Sequence, residues 1–129
     1  MIKRLLLTGT AVASMGVALL AGAAPANADG TISLWNSTHQ ILRGTAHFAS
    51  YGEIFTACDK YADGYGISVN WYVVSNPSNN GEAYDKSGAD GQCAVSNGSV
   101  TEGREVAYRA CLRDNGAYVY CSDYFRDYA

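Results

Sequence analysis

Four cysteines set behind an export-type leader constrain this chain more than any other feature. Lys3 and Arg4 supply positive charge, Leu5–Leu20 is a mostly apolar run, and Pro25 precedes the small residues Ala26-Asn27-Ala28. Charge, apolar run and small residues in that order are the pattern of a secretory signal peptide. The run falls short of the ~20 residues that span a bilayer, and no stop-transfer pattern follows it. No cysteine stands just after the small residues, which argues against lipid attachment. Met1–Ala28 is therefore read as a removed leader and residues 29–129 as one secreted, extracellular domain.

In a small exported domain an even number of cysteines reads as a disulfide framework. Cys58, Cys93, Cys111 and Cys121 permit three pairings, and the sequence alone does not choose among them. Local geometry states a preference. Cys111 and Cys121 flank Asp114-Asn115-Gly116, a hairpin turn motif that would set them across two strands. Cys58 and Cys93 are then left to each other. Metal ligation is the rival, but the spacings of 35, 18 and 10 lack the close pairs of a structural zinc site. No metal and no cofactor is expected.

Seven basic residues stand against twelve acidic ones after the leader, a net charge of −5. A domain with this balance and no basic stripe repels phosphate backbones, so nucleic acid is not an expected partner. An anionic membrane surface is disfavoured for the same reason.

All ten Tyr, both Trp and all three Phe follow the leader, among many Val, Ile and Thr. Such residues suit a pleated, half-buried surface, and Gly, Asn, Asp and Ser punctuate them at short intervals. Strands are expected at Thr31–Trp35, Thr45–Phe48, Glu53–Cys58, Ile67–Val74, Gln92–Val95, Arg104–Arg113 and Tyr118–Asp123, with an edge strand at Glu82–Lys86. Turns are expected at Asp59–Gly66, Asn76–Gly81 and Ser96–Gly103. Val106, Tyr108, Ala110 and Leu112 share one face; Glu105, Ala107, Arg109 and Cys111 share the other. The expected fold is all-β: a single small antiparallel sandwich or barrel of about eight short strands with two disulfides. Val69, Trp71, Val106 and Tyr108 would share its interior.

No catalytic residue is assigned. There is no Gly-x-Ser-x-Gly elbow, and paired cysteines cannot serve as nucleophiles. His47 lies opposite Ala46 and Phe48 on its strand and reads as a surface histidine, and His39 has no motif around it. Hydrolysis of glycosides needs two carboxylates facing a cleft, and a domain this small has little room for a deep one. Asp59–Gly64 partly matches a calcium loop, but Tyr61 and Asn70 occupy ligand positions and Asx-type turns are the simpler reading. Asn36-Ser37-Thr38 and Asn97-Gly98-Ser99 match the glycan-acceptor pattern and are read as turns.

Aromatic residues crowd the C-terminus. Tyr118, Tyr120, Tyr124 and Tyr128, with Arg126, are the candidate binding residues, in the company of Phe125 and Arg113. Tyr and Arg are favoured at interaction hot spots. The competing expectation is that these rings pack on the sheet with only their hydroxyls wet.

In Cys58-Asp59, Ala62-Asp63-Gly64 and Arg109-Ala110-Cys111 the chain resembles small secreted proteins of actinomycetes such as Streptomyces, which carry no activity to transfer. Small two-disulfide β-proteins of those organisms include amylase and protease inhibitors. The Trp-Arg-Tyr loop of the amylase inhibitors is missing here, since Tyr72 follows Trp71. The expected function is non-enzymatic binding of an extracellular protein or an envelope polysaccharide, as an inhibitor or an envelope-binding module. A small carboxylate-dependent hydrolase and a structural surface protein are the alternatives.

Overall fold

Alternation of apolar and polar residues along Ile67–Val73 and Val106–Leu112 gives two neighbouring strands that bury one face against a second sheet. The computed structural model describes residues 29–129; the leader assigned to Met1–Ala28 lies outside the described residues. The strands are β1 (Gly30–Trp35), β2 (Leu42–Ala49), β3 (Ile54–Asp59), β4 (Gly66–Val73), β5 (Asn76–Asp85), β6 (Ala94–Asn97), β7 (Glu105–Asp114), β8 (Ala117–Cys121) and β9 (Phe125–Tyr128). One sheet has the order β1-β2-β3-β6. The other has the order β5-β4-β7-β8, and β9 also pairs with β7. Every pairing is antiparallel. The fold is the all-β, two-sheet arrangement expected, with nine strands in place of about eight.

The additional strand is β9. Leu112 and Arg113 mark a register shift in the pairing with β8, and β8 ends at Cys121. The remaining length of β7 is free to pair again, and Glu105–Tyr108 takes Tyr128–Phe125 as its partner. A four-residue strand inside an aromatic cluster leaves little periodicity to detect.

One turn expectation is corrected. Asn76–Gly81 is not a turn: the chain reverses at Val74-Ser75, and Asn76–Asp85 is a single strand. It lies at the edge of its sheet, where the missing N–H of Pro77 and the polar side chains are tolerated. Gly81 serves this strand by its lack of a side chain, because a Cβ there would stand 2.7 Å from the indole of Trp71.

Both disulfides follow the preferred pairing, Cys58–Cys93 and Cys111–Cys121. Cys111 and Cys121 are direct cross-strand partners with Cα atoms 4.1 Å apart. Val69, Trp71, Val106 and Tyr108 share one core with Ile32, Phe48, Phe55 and Leu112. The rings make a continuous stack: Phe48 and Phe55 lie 4.7 Å apart, and Phe55 lies 4.7 Å from Trp71 across the sheets. The polar ends of the buried aromatics are bonded, Trp71 Nε1 to Ser96 Oγ at 3.1 Å and the Tyr108 hydroxyl to Asp127 Oδ2 at 2.6 Å.

Candidate functional site

Two sheet edges meet on one side of the sandwich. β1 is the outer strand of one sheet and β8 the outer strand of the other. Between them, with the start of β9, opens a groove of about 700 Å³. Its apolar lining is unusually exposed: Trp35 is 45% exposed, Tyr120 61% and Phe125 50%. Polar groups intermingle with them, including Ser33, Asn36, Ser37, His39, Ser122 and Asp123. Asp123 is the single carboxylate among the residues lining this groove.

Local chemistry shapes the rim. Asn36 Oδ1 accepts the backbone N–H groups of Gln40 and Ile41 and closes the β1–β2 turn. His39 completes that turn with a φ of 55°, the left-handed region that histidine visits more readily than most residues. Arg43 is tied to Asp63 Oδ2 by Nε at 3.0 Å and Nη2 at 2.8 Å, so its charge is already matched.

The C-terminal aromatics are divided between two places. Tyr120 pairs with Leu112 and so points to the inner side, into the groove, with Phe125 beside it. Tyr118 pairs with Arg113 and points to the outer face of the five-stranded sheet. There it enters a ladder of alternating rings and guanidinium groups. The Arg109 carbon Cζ lies 4.9 Å from the ring centre of Tyr124 and 5.7 Å from that of Tyr118. Arg113 Cζ lies 4.0 Å from Tyr118 and 4.6 Å from Tyr84. Tyr72 meets Tyr124 edge-on at 5.3 Å. Tyr124 is common to both places, since it also lines the groove.

The two ladder arginines differ in charge balance. Arg113 is nine-tenths buried and pairs with Glu82 at 2.6 Å while donating to the Gly116 carbonyl. The Tyr118 hydroxyl donates to the same Glu82 and accepts from Asn70 Nδ2. Arg109 has no carboxylate within salt-bridge distance among the described residues, and its buried Nε lacks an acceptor. At the far end of the sheet, Tyr128 pairs with Glu105, and Arg126 forms a 3.4 Å ion pair with Glu105. The structure thus brings Tyr120 together with Phe125, and Tyr118 with Tyr124, but leaves Tyr128 and Arg126 apart. The expectation that these tyrosines pack with only their hydroxyls wet is corrected: their exposures run from 39% to 61%. They border strands at the sheet margin, where no third layer covers them.

Arg109, Trp35 and Tyr72 were not among the candidate binding residues read from the sequence. Alternation assigns Arg109 to the outer face, but its ring neighbours depend on the bulged β7–β8 register.

A second concavity of about 590 Å³ opens beside Asp59, Tyr65, Tyr84 and Lys86. Asp59 and Asp63 make the Asx turns expected, accepting from the N–H groups of Tyr61 and Tyr65. Asp59 is only 5% exposed and its Oδ2 has no partner. Burial pushes its carboxyl above the usual range, and the charges of Asp63 and Asp85 push the same way. His47 faces outward as expected and bonds Thr31 Oγ1 through Nδ1 at 2.8 Å. Among the described residues no group of three His, Cys, Asp or Glu is placed to hold a metal ion.

No protein-family model, no curated protein and no solved structure matches the chain.

Proposed function

We propose that this protein is a secreted binding module, akin to the small exported proteins of actinomycetes, that holds an envelope polysaccharide in the groove between β1 and β8–β9. The observation that carries this reading is the lining itself: exposed Trp35, Tyr120 and Phe125 rings interleaved with hydroxyl and amide groups. Flat aromatic faces suit the apolar faces of sugar rings, and the hydroxyl and amide groups suit sugar hydroxyls. Asp123 alone is one carboxylate short of the pair used in glycoside hydrolysis, which favours holding a chain over cutting it. Two disulfides suit an oxidising exterior.

A second reading is an extended peptide added to an open edge, favoured by the two unpaired strand edges that flank the groove.

Sedimentation of the oxidised protein with insoluble envelope polysaccharide tests the first reading. Retention is expected, and Trp35→Ala and Tyr120→Ala should abolish it at unchanged melting temperature. Equal retention of both variants, or none of the unaltered protein, overturns it.

A further inference from the structure

We propose that Arg109 is the recognition site for a carboxylate borne on that glycan, so that the groove takes an acidic, uronate-type polysaccharide in preference to a neutral one; this rests on the polysaccharide reading above. Arg113, the neighbouring guanidinium in the ladder, is satisfied by Glu82, Gly116 and Ser68. Arg109 has the same aromatic support and no counter-charge among the described residues. A half-buried guanidinium gives up part of its hydration, and an orphaned Nε adds to the cost. The arrangement occurs in a domain with a clear excess of acids, twelve against seven basic residues after the leader.

Two rings support the Arg109 group, Tyr124 at 4.9 Å and Tyr118 at 5.7 Å. A guanidinium supported by aromatic rings still has its in-plane N–H groups to donate. A planar fork held in advance suits a planar carboxylate, with two parallel hydrogen bonds and little loss of freedom. Tyr124 connects this group to the groove, because the residue borders the groove and its ring covers Arg109. A sugar seated against Tyr124 would bring a substituent carboxylate to Arg109. The overall negative charge then works for selectivity: it repels polyanions in general, and only a chain that fits the groove recovers the attraction at Arg109.

Calorimetric titration of the oxidised protein with an oligouronate, a neutral glucan oligomer and an oligoglutamate tests the proposal. The oligouronate should bind best, and less tightly as salt rises. Arg109→Gln should weaken it by about tenfold or more, the scale of a charge-assisted hydrogen bond, and leave neutral-glucan binding unchanged. Arg109→Lys, which keeps the charge and loses the fork, should fall between, and it carries the test if the Gln variant melts early. Equal uronate affinity in the variants and the unaltered protein overturns the assignment, as does equal affinity for uronate and glucan, and either result leaves the groove reading standing. Binding of neither sugar removes both. Arg109-dependent binding of oligoglutamate alone overturns it in favour of an acidic peptide.

Discussion

The indole of Trp71 lies flat on the ring of Phe55, with centroids 4.7 Å apart and 1° between their planes. Trp71 belongs to one sheet and Phe55 to the other. Their contact, extended by Phe48 and Tyr108, is the centre of the interface between the layers. Gly81 and Gly98 leave room for the indole, because a Cβ on either would press against it.

Trp71→Ala should therefore cost about 3–5 kcal/mol, the range for emptying a large aromatic site in a packed core. Tyr120→Ala, at an exposed ring, should change stability by less than about 1 kcal/mol. Urea unfolding of both variants checks the contrast; similar losses would show that the groove rings carry the fold.

The disulfides should differ in worth because they close loops of different length, 35 residues for Cys58–Cys93 and 10 for Cys111–Cys121. On the chain-entropy scale removing the first costs about 4 kcal/mol and the second about 2.5–3 kcal/mol. Paired Cys→Ala replacements compared by chemical unfolding test this order. A larger loss at Cys111–Cys121 would point to the native hairpin, not the unfolded chain, as the source.

Tyr108→Phe removes the donor to Asp127 and leaves that carboxylate without its 2.6 Å partner. The loss should be about 1–2 kcal/mol. Burial raises the Tyr108 phenol, and the bond to Asp127 raises it further. Its contribution is complete below the ordinary phenol range near pH ~10 and is lost as pH rises through the higher folded value. Alkaline melting curves should accordingly show a decline in stability that Tyr108→Phe reduces.

Asp59→Asn should stabilise the protein at neutral pH by about 1 kcal/mol, because it replaces a buried carboxylate carrying an unsatisfied oxygen. The folded carboxyl is raised by burial. For such a group stability is fully present below the unfolded carboxylate value near pH ~4 and is lost as pH rises through the folded one. The advantage of the Asn variant should thus shrink on acidification. Thermal melts from mildly acid to neutral pH measure it, and a variant less stable at every pH would assign Asp59 a structural bond instead.

Much of the architecture is legible in local pattern. The alternation of Ile67–Val73 and Val106–Leu112 determines which side chains enter the core, since a strand turns successive residues to opposite faces. Asn115-Gly116, both at positive φ, turns the hairpin and pairs Asp114 with Ala117, and the bulge between Arg113 and Leu112 then brings Cys121 opposite Cys111. Asn76–Gly81 misleads for a related reason: turn-forming residues are also tolerated along an edge strand, and only the partner β4 reveals which role they play.

The sequence by itself determined the fold class, the inward faces, the disulfide preference and a C-terminal aromatic cluster. Composition and alternation act over a few residues, and those features need nothing longer. The tertiary structure alone decided that β1 and β8 border one groove, that Trp35 joins Tyr120 there, and that Arg109 stands between Tyr118 and Tyr124 without a carboxylate. These relationships depend on the order of strands, the bulged register of β7 with β8 and the stacking of two sheets. The order of strands and the stacking of the sheets are fixed by contacts between residues far apart in the chain, for which short-range pattern carries no information.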